Sequence, residues 1–276
     1  MANTVLPYLF HMEEPCLFHM EQDTFPSTPP VDELFLGGGT FGSVVKRDGK
    51  VIKTSLTEAS LEHEYKVMLH LRGHPNVLHA IALSSNGLSL EVEFGGVDLF
   101  HVRHNSTGPL DVRHVYPQIL SGVTHLHHKR IAHLDLKLEN LVLGQRGVVK
   151  IIDFGLSSFY PGYKPALTNI KAGSPTYVAP EVMVKYPAYD PFAADAWSLG
   201  VVLYAYASDS FPFPEARDSD TAFCKFKNLM WCNSPSMALK HLWARSAKIT
   251  AVTDPYVWQQ IDTLLHVDPT RRARFA

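Results

Sequence analysis

From Leu34 to about Val92 short β-branched runs and turns alternate before a stretch of helical period. Val44-Val45 and Val51-Ile52 flank Asp48-Gly49, and an Asp-Gly pair between such runs is a strong two-residue hairpin signal. That turn sets Val44 directly opposite Lys53 on one face of the sheet. The period then changes. Leu61, Tyr65, Met68 and Leu71 recur at helical spacing, and Glu64 falls on the same face. A carboxylate facing a core without a partner costs about 3–5 kcal/mol, and Lys53 on the neighbouring sheet is the candidate cation. The alternative is a glutamate at the edge of the face that reaches water. The pattern to Val92 reads strand, turn, strand, helix, strand; after Gly95-Gly96 longer helical patterns take over, with Pro and Gly between them. The break near residue 95 separates a smaller part, 31–94, from a larger one, 95–276.

Residues 1 to about 30 differ from the rest. They hold Pro15, Pro26, Pro29 and Pro30, and Leu-Phe-His-Met-Glu-Glu at 9–14 returns as Leu-Phe-His-Met-Glu-Gln at 17–22. That period matches no stacking repeat, so the expectation is a flexible tail, with a docking motif as the alternative.

Apolar residues make up 46% of the 276, enough for a sizeable core. Lys plus Arg is 25 against 27 Asp plus Glu, with no basic stripe, which argues against a dedicated nucleic-acid binder. The longest apolar stretches, such as 199–207, are too short to span a bilayer, so no membrane partner is expected. Acidic Glu13, Glu14, Glu21 and Asp23 occupy the place where a targeting peptide is basic or apolar. Three scattered cysteines give no disulfide framework, and the expected compartment is reducing: intracellular, cytoplasmic or nuclear. Of the 15 histidines, no paired spacing is joined by a second pair or a cysteine, so the zinc reading is weak.

Gly37, Gly38, Gly39, Thr40, Phe41, Gly42 and Val44 form a glycine loop of the pattern G-x-G-x-x-G-x-V. Glycine lets a backbone approach phosphate closely. A dinucleotide fold needs a helix straight after the third glycine, and here a hairpin follows, so the loop reads as the roof of a nucleotide site. Farther on, His133-Leu134-Asp135-Leu136-Lys137-Leu138-Glu139-Asn140 precedes a strand-like 141–143, a turn at 144–147, a second strand at 148–152, and Asp153-Phe154-Gly155. Asp135, Asn140 and Asp153 thus fall at the ends of one small hairpin. Two oxygen donors beside a phosphate site suit Mg²⁺, and Asp135 remains as a carboxylate able to accept a proton.

In their order and spacing these motifs resemble the eukaryotic protein kinases, over roughly residues 34–275. Later matches are Gly173-Ser174-Pro175, Ala179-Pro180-Glu181, Asp195-Ala196-Trp197 and Asp268-Pro269-Thr270-Arg271-Arg272. The resemblance implies an α+β, bilobal fold: a small β-rich lobe with one regulatory helix and a larger, mostly helical lobe. It implies ATP and Mg²⁺ as cofactors, and transfer to Ser/Thr hydroxyls of protein substrates, with Lys137 and Ser174 marking the serine/threonine class. By the same likeness Lys53 holds the phosphates and pairs with Glu64, Asp135 is the base, and Asn140 and Asp153 are the metal ligands. The ATP site further takes in Val51, Val142, the hinge residues Glu93 and Gly95, and Asp98 at the ribose. Glu181 and Arg272 would form a buried ion pair, Asp195 would bind the catalytic-loop backbone, and His133 would pack beside Phe154. A monomer is expected.

Departures from the family pattern carry their own expectations. Leu134 stands where regulated members have an arginine that clamps an activation-loop phosphate, so activity is expected not to require phosphorylation within 156–172, where Ser157, Ser158, Tyr160, Tyr163 and Thr168 lie. Val51 replaces a usual alanine and tightens the adenine pocket. The chain stops four residues after Arg272, an economy similar to that of kinases from large DNA viruses. The rival function is a pseudokinase scaffold, against which stand Lys53, Glu64, Asp135, Asn140 and Asp153, all present. A small-molecule kinase is the third reading, disfavoured by Ala179-Pro180-Glu181 and Arg272.

Overall fold

The hairpin at Asp48-Gly49 forms as its residues require. Strands β2 (Gly42–Arg47) and β3 (Lys50–Ser55) pair antiparallel with Val44 opposite Lys53. Both turn residues have positive φ, 51° and 74°, as a tight turn matched to strand twist demands. The structure, a computed structural model, describes residues 33–39, 42–57, 60–105, 110–162, 168–170, 172–183, 188–244, 252 and 254–275. The 9–22 duplication, Thr40, Phe41 and Tyr163 lie outside the described residues.

β1 (Leu34–Gly39) pairs antiparallel with β2, with Gly39 opposite Gly42, so the described glycines stand at one end of this strand pair. β5 (Ser89–Glu93) pairs with β3, placing Val51 opposite Val92, and β4 (Ala80–Leu83) forms the far edge, giving the order β1-β2-β3-β5-β4. The sheet therefore has more strands than the hydrophobic pattern predicted. β4 escaped notice because an edge strand with an irregular register at Ala80/Ala82, and Ile81 and Ala82 both exposed, shows no in-out alternation. Helix α1 (Glu62–Leu71) buries Val67, Met68 and Leu71, and with them Glu64, which is 5% exposed. The water-facing alternative for Glu64 does not hold.

Beyond the hinge come α2 (Leu99–Asn105), α3 (Val112–His128), α4 (Pro180–Met183), α5 (Pro191–Ser208), α6 (Thr221–Leu229), α7 (Pro235–Leu242) and α8 (Pro255–Leu264). Every residue of α5 except Ser198 and Ala207 is buried, as expected of a helix apolar on all sides. Asp190 caps it by accepting from the N–H groups of Phe192 and Ala193, and Pro191 sits where a missing N–H costs nothing. Trp197 on this helix packs with Phe213 and Phe223. Two small sheets carry the chemistry. β6 (Val97–Asp98), β8 (Leu141–Leu143) and β9 (Val149–Ile151) form one, and β7 (Ile131–Ala132) pairs with β10 (Ser158–Phe159) in the other. The architecture is α+β, an antiparallel sheet with one helix followed by a mainly helical part. Among the described residues no helix is long and apolar enough to cross a membrane.

Candidate active site

Lys53 is delivered by β3 to a point between two carboxylates. Its Nζ lies 2.8 Å from Glu64 Oε2 and 2.9 Å from Asp153 Oδ1. Burial works to lower the Lys53 pKa, but attraction to Glu64 and Asp153 outweighs it and holds the ammonium above its ordinary value. Burial pushes Glu64 up, only partly offset by Lys53. Burial also acts to raise Asp153, yet Lys53, helped by His133 and the Gly155 N–H, holds it below the usual carboxylate range. Asp153 remains an anion, held by a cation that stays charged.

The loop from His133 to Asn140 is pinned from α5. The buried Asp195 accepts from the backbone N–H groups of His133 and Leu134, each at 2.8 Å, and from His127 Nε2 at 3.0 Å. Those bonds hold Leu134 at φ 67°, and Asp153 stands at φ 61°. Left-handed non-glycine residues cost about 1–3 kcal/mol each and persist where surrounding contacts over-determine them. His133 packs edge-on to Phe154, ring centroids 5.3 Å apart, as the resemblance implies.

Asp135, 8% exposed, is fixed through both oxygens. Oδ1 accepts from the Ser174 N–H (3.0 Å) and hydroxyl (3.1 Å); Oδ2 faces Lys137 Nζ (2.8 Å) and accepts from Asn140 Nδ2 (3.0 Å). Lys137 also donates to Ser174 Oγ at 3.0 Å. Asn140 Nδ2 is further taken by the Asp135 carbonyl, so the amide hydrogens face Asp135 and the amide oxygen is the atom available to a cation. Asn140 and Asp153 line the same cavity. Two hard oxygen donors beside a phosphate site fit Mg²⁺, which takes few protein ligands.

The cleft between the sheet and this loop has adjoining chambers. One of about 490 Å³ is roofed by Leu36, Val44 and Val51, floored by Val142 and Ile152, and edged by Glu93, Gly95 and Asp98. Its size and apolar walls suit a flat heteroaromatic ring. A second, of about 990 Å³, runs beneath Gly37 and Gly42 to Lys53, Lys137, Asn140 and Asp153. At Gly42 an added Cβ would lie 2.6 Å from the Thr54 carbonyl oxygen. At Gly96, with φ 122°, one would lie 2.0 Å from the Leu143 carbonyl oxygen, so the chain can turn out of the hinge only with glycine. The Glu93 carboxylate turns to Lys150 Nζ at 2.8 Å, and its backbone N–H donates to the His79 carbonyl at 3.1 Å. Asp98 borders the cleft, but its oxygens accept from the His101 backbone N–H and approach His101 Nδ1, both at 2.8 Å.

The structure thus brings Lys53, Glu64, Asp135, Lys137, Asn140 and Asp153 together with the described part of the glycine loop. Sequence reasoning missed four contributors. His127 holds Asp195, Tyr177 donates its hydroxyl to Glu139 at 3.2 Å, His63 bonds the Ser157 carbonyl, and Phe192 packs with Leu134. Each meets its partner across long sequence separations, which no local period reveals. Leu134 lies in an apolar cluster with Ala132, Phe192, Tyr160 and Ala172. Ser157 and Thr168 are buried, the former donating its hydroxyl to the Phe154 carbonyl at 2.7 Å. Arg272, its side chain fully enclosed, grips Glu181 through both nitrogens at 2.6 and 2.8 Å.

Comparison with known proteins agrees with this geometry. CBL-interacting protein kinase 8 of Oryza sativa subsp. japonica is 39% identical over 173 residues, 61% of this chain and 38% of its own length. CBL-interacting serine/threonine-protein kinase 17 of Arabidopsis thaliana is 41% identical over 151 residues, 52% of this chain and 34% of its own. Death-associated protein kinase dapk-1 of Caenorhabditis elegans is 39% identical over 178 residues, 62% of this chain and 12% of its own. The chain spans well under half the length of these relatives. The model of the protein kinase domain matches residues 32–276, and the chain belongs to that family.

Proposed function

We propose that the protein is a serine/threonine protein kinase that transfers the γ-phosphate of ATP to Ser or Thr hydroxyls of protein substrates. The observation that carries the reading is the doubly anchored Asp135, bridged by Ser174 and Lys137 and tied through Lys137 and Asn140 to the cavity that Lys53 and Asp153 also line. Asp135 accepts the proton of the attacking hydroxyl, its carboxylate aimed by the Ser174 and Asn140 donors. Lys137 places positive charge beside the same point. Lys53 binds the α- and β-phosphates, and Glu64 fixes where its ammonium sits. Asn140 and Asp153 are the oxygen donors that would hold Mg²⁺, which would supply positive charge against the phosphates. Positioning and charge stabilisation then do most of the catalysis. Paired peptides differing only in Ser, Thr or Tyr at one acceptor, incubated with γ-labelled ATP and Mg²⁺, test this. Label should enter Ser and Thr and vanish with Lys53→Met; labelling of Tyr alone contradicts it.

The same reading makes catalysis independent of activation-loop phosphorylation. Leu134 offers no charge to a phosphate, and its packing with Phe192, Tyr160 and Ala172 supports a loop held by apolar contact. Turnover that survives phosphatase treatment is expected; loss of most of it contradicts the idea. We take the protein to act as an intracellular monomer, to which the free Cys224 and Cys232 are suited.

A further inference from the structure

Helix α1 touches the start of the activation loop at two places on one face. His63 and His70 are seven residues apart, about two helical turns, and so lie on the same side. His63 Nε2 lies 2.8 Å from the Ser157 carbonyl oxygen. A carbonyl only accepts, so this ring nitrogen carries the hydrogen and donates. Two turns on, the His70 ring meets Phe159 edge-on, centroids 5.6 Å apart. The touched segment is held on its other side by backbone. Ser158 pairs with Ala132 and Phe159 with Ile131, and the Tyr160 N–H donates to the Arg130 carbonyl at 2.8 Å. The loop start is therefore fixed to the catalytic-loop side by strand pairing and to α1 by His63.

The residue after His63 is Glu64, whose carboxylate sets Lys53. Any slide or rotation of α1 that lengthens the His63–Ser157 bond also moves Glu64. We infer that His63 is a positioning residue for the phosphoryl-transfer site: its bond to the Ser157 carbonyl locks α1 to the activation loop and keeps Glu64 in register with Lys53, with no phosphate taking part. The inference rests on the kinase reading and names how that site is held in its working arrangement. It also gives the loss of charge at Leu134 a counterpart, since a main-chain carbonyl on this loop is always present, whereas a phosphate must be added.

Two substitutions separate the bond from the bulk of the ring. His63→Leu keeps size and good helix propensity but has no donor; His63→Gln keeps an N–H at comparable reach. In His63→Leu kcat should fall about three- to tenfold, the span of one net hydrogen bond, with peptide KM unchanged. His63→Gln should recover most of the loss. Placed in a Glu64→Gln background, His63→Leu should cause little further loss, because what it positions is already gone. Amide hydrogen exchange over 157–160 should quicken in the Leu variant and stay near wild type in the Gln variant. Wild-type kcat and exchange in His63→Leu, equal impairment of both variants, or losses that simply multiply in the double variant would each overturn the inference. A folded wild type that transfers no phosphate overturns the kinase reading instead, and the exchange comparison still decides the role of His63.

Discussion

Ser174 donates both its backbone N–H and its hydroxyl to one oxygen of Asp135, at 3.0 and 3.1 Å, while its own oxygen accepts from Lys137. The backbone bond survives replacement of the side chain by alanine; the hydroxyl bridge does not. Ser174→Ala should therefore keep the fold and lower kcat about tenfold, the size of a charge-assisted hydrogen bond. Ser174→Thr, which keeps the hydroxyl, should restore it. Steady-state kinetics on one peptide decides, and an unaffected Ala variant would remove Ser174 from the site.

Arg272 and Glu181 predict a stability effect far from the chemistry. Removing one partner of a buried pair strands the other charge, so Glu181→Ala should destabilise the protein by about 3–5 kcal/mol in urea unfolding. Arg272→Lys should recover only part of the loss in Arg272→Ala, because an ammonium cannot reproduce the two-pronged grip.

His74 and His125 give the protein an acid sensitivity. Their rings stack with centroids 4.6 Å apart, and His74 Nδ1 accepts from the Asn76 N–H, so a proton there has no room. Burial, then the charge of His125, lowers the His74 pKa; burial, aided by Lys129, His128 and His70, lowers that of His125 against the opposing Leu71 carbonyl. Because the folded values lie below the unfolded one, the unfolded chain binds more protons in the window between them. Stability is then full above about pH 6.5 and is lost as pH falls through the folded values. The Tm should drop between about pH 7.5 and about pH 5.5, and less in His125→Phe, which keeps a stacking ring without its titration. Parallel curves for the two proteins would contradict this.

Val51 stands opposite Val92, and both line the chamber edged by Glu93 and Gly95. Crowding of this kind typically costs about 1–3 kcal/mol, so Val51→Ala should lower the KM for ATP about fivefold or more. An unchanged or raised KM would show that the roof already fits its ligand.

How far the sequence announced all this depends on the range of each interaction. The pairing of Val44 with Lys53 follows from a two-residue turn, and the burial of Glu64 from helical period; both are local rules and both hold. β4 was hidden because an irregular edge strand carries no alternation. His127 meeting Asp195, Tyr177 meeting Glu139 and Phe192 covering Leu134 are products of chain-wide packing, and nothing in the neighbouring residues marks them. Asp98 lies between the two cases. Motif order places it at the cleft, but in the fold its carboxylate is engaged by His101 in the first turn of the helix that follows it.

The central claim is that Asp135 drives transfer to a hydroxyl within a site that binds ATP independently of it. The most direct measurement is Mg²⁺-dependent transfer from γ-labelled ATP to a serine peptide by wild type and Asp135→Asn, with ATP binding measured in parallel. The account predicts phosphoserine from wild type, and in the variant a kcat lower by about a hundredfold or more with ATP binding retained. Undiminished transfer by Asp135→Asn, or none by folded wild type that binds ATP, would contradict it.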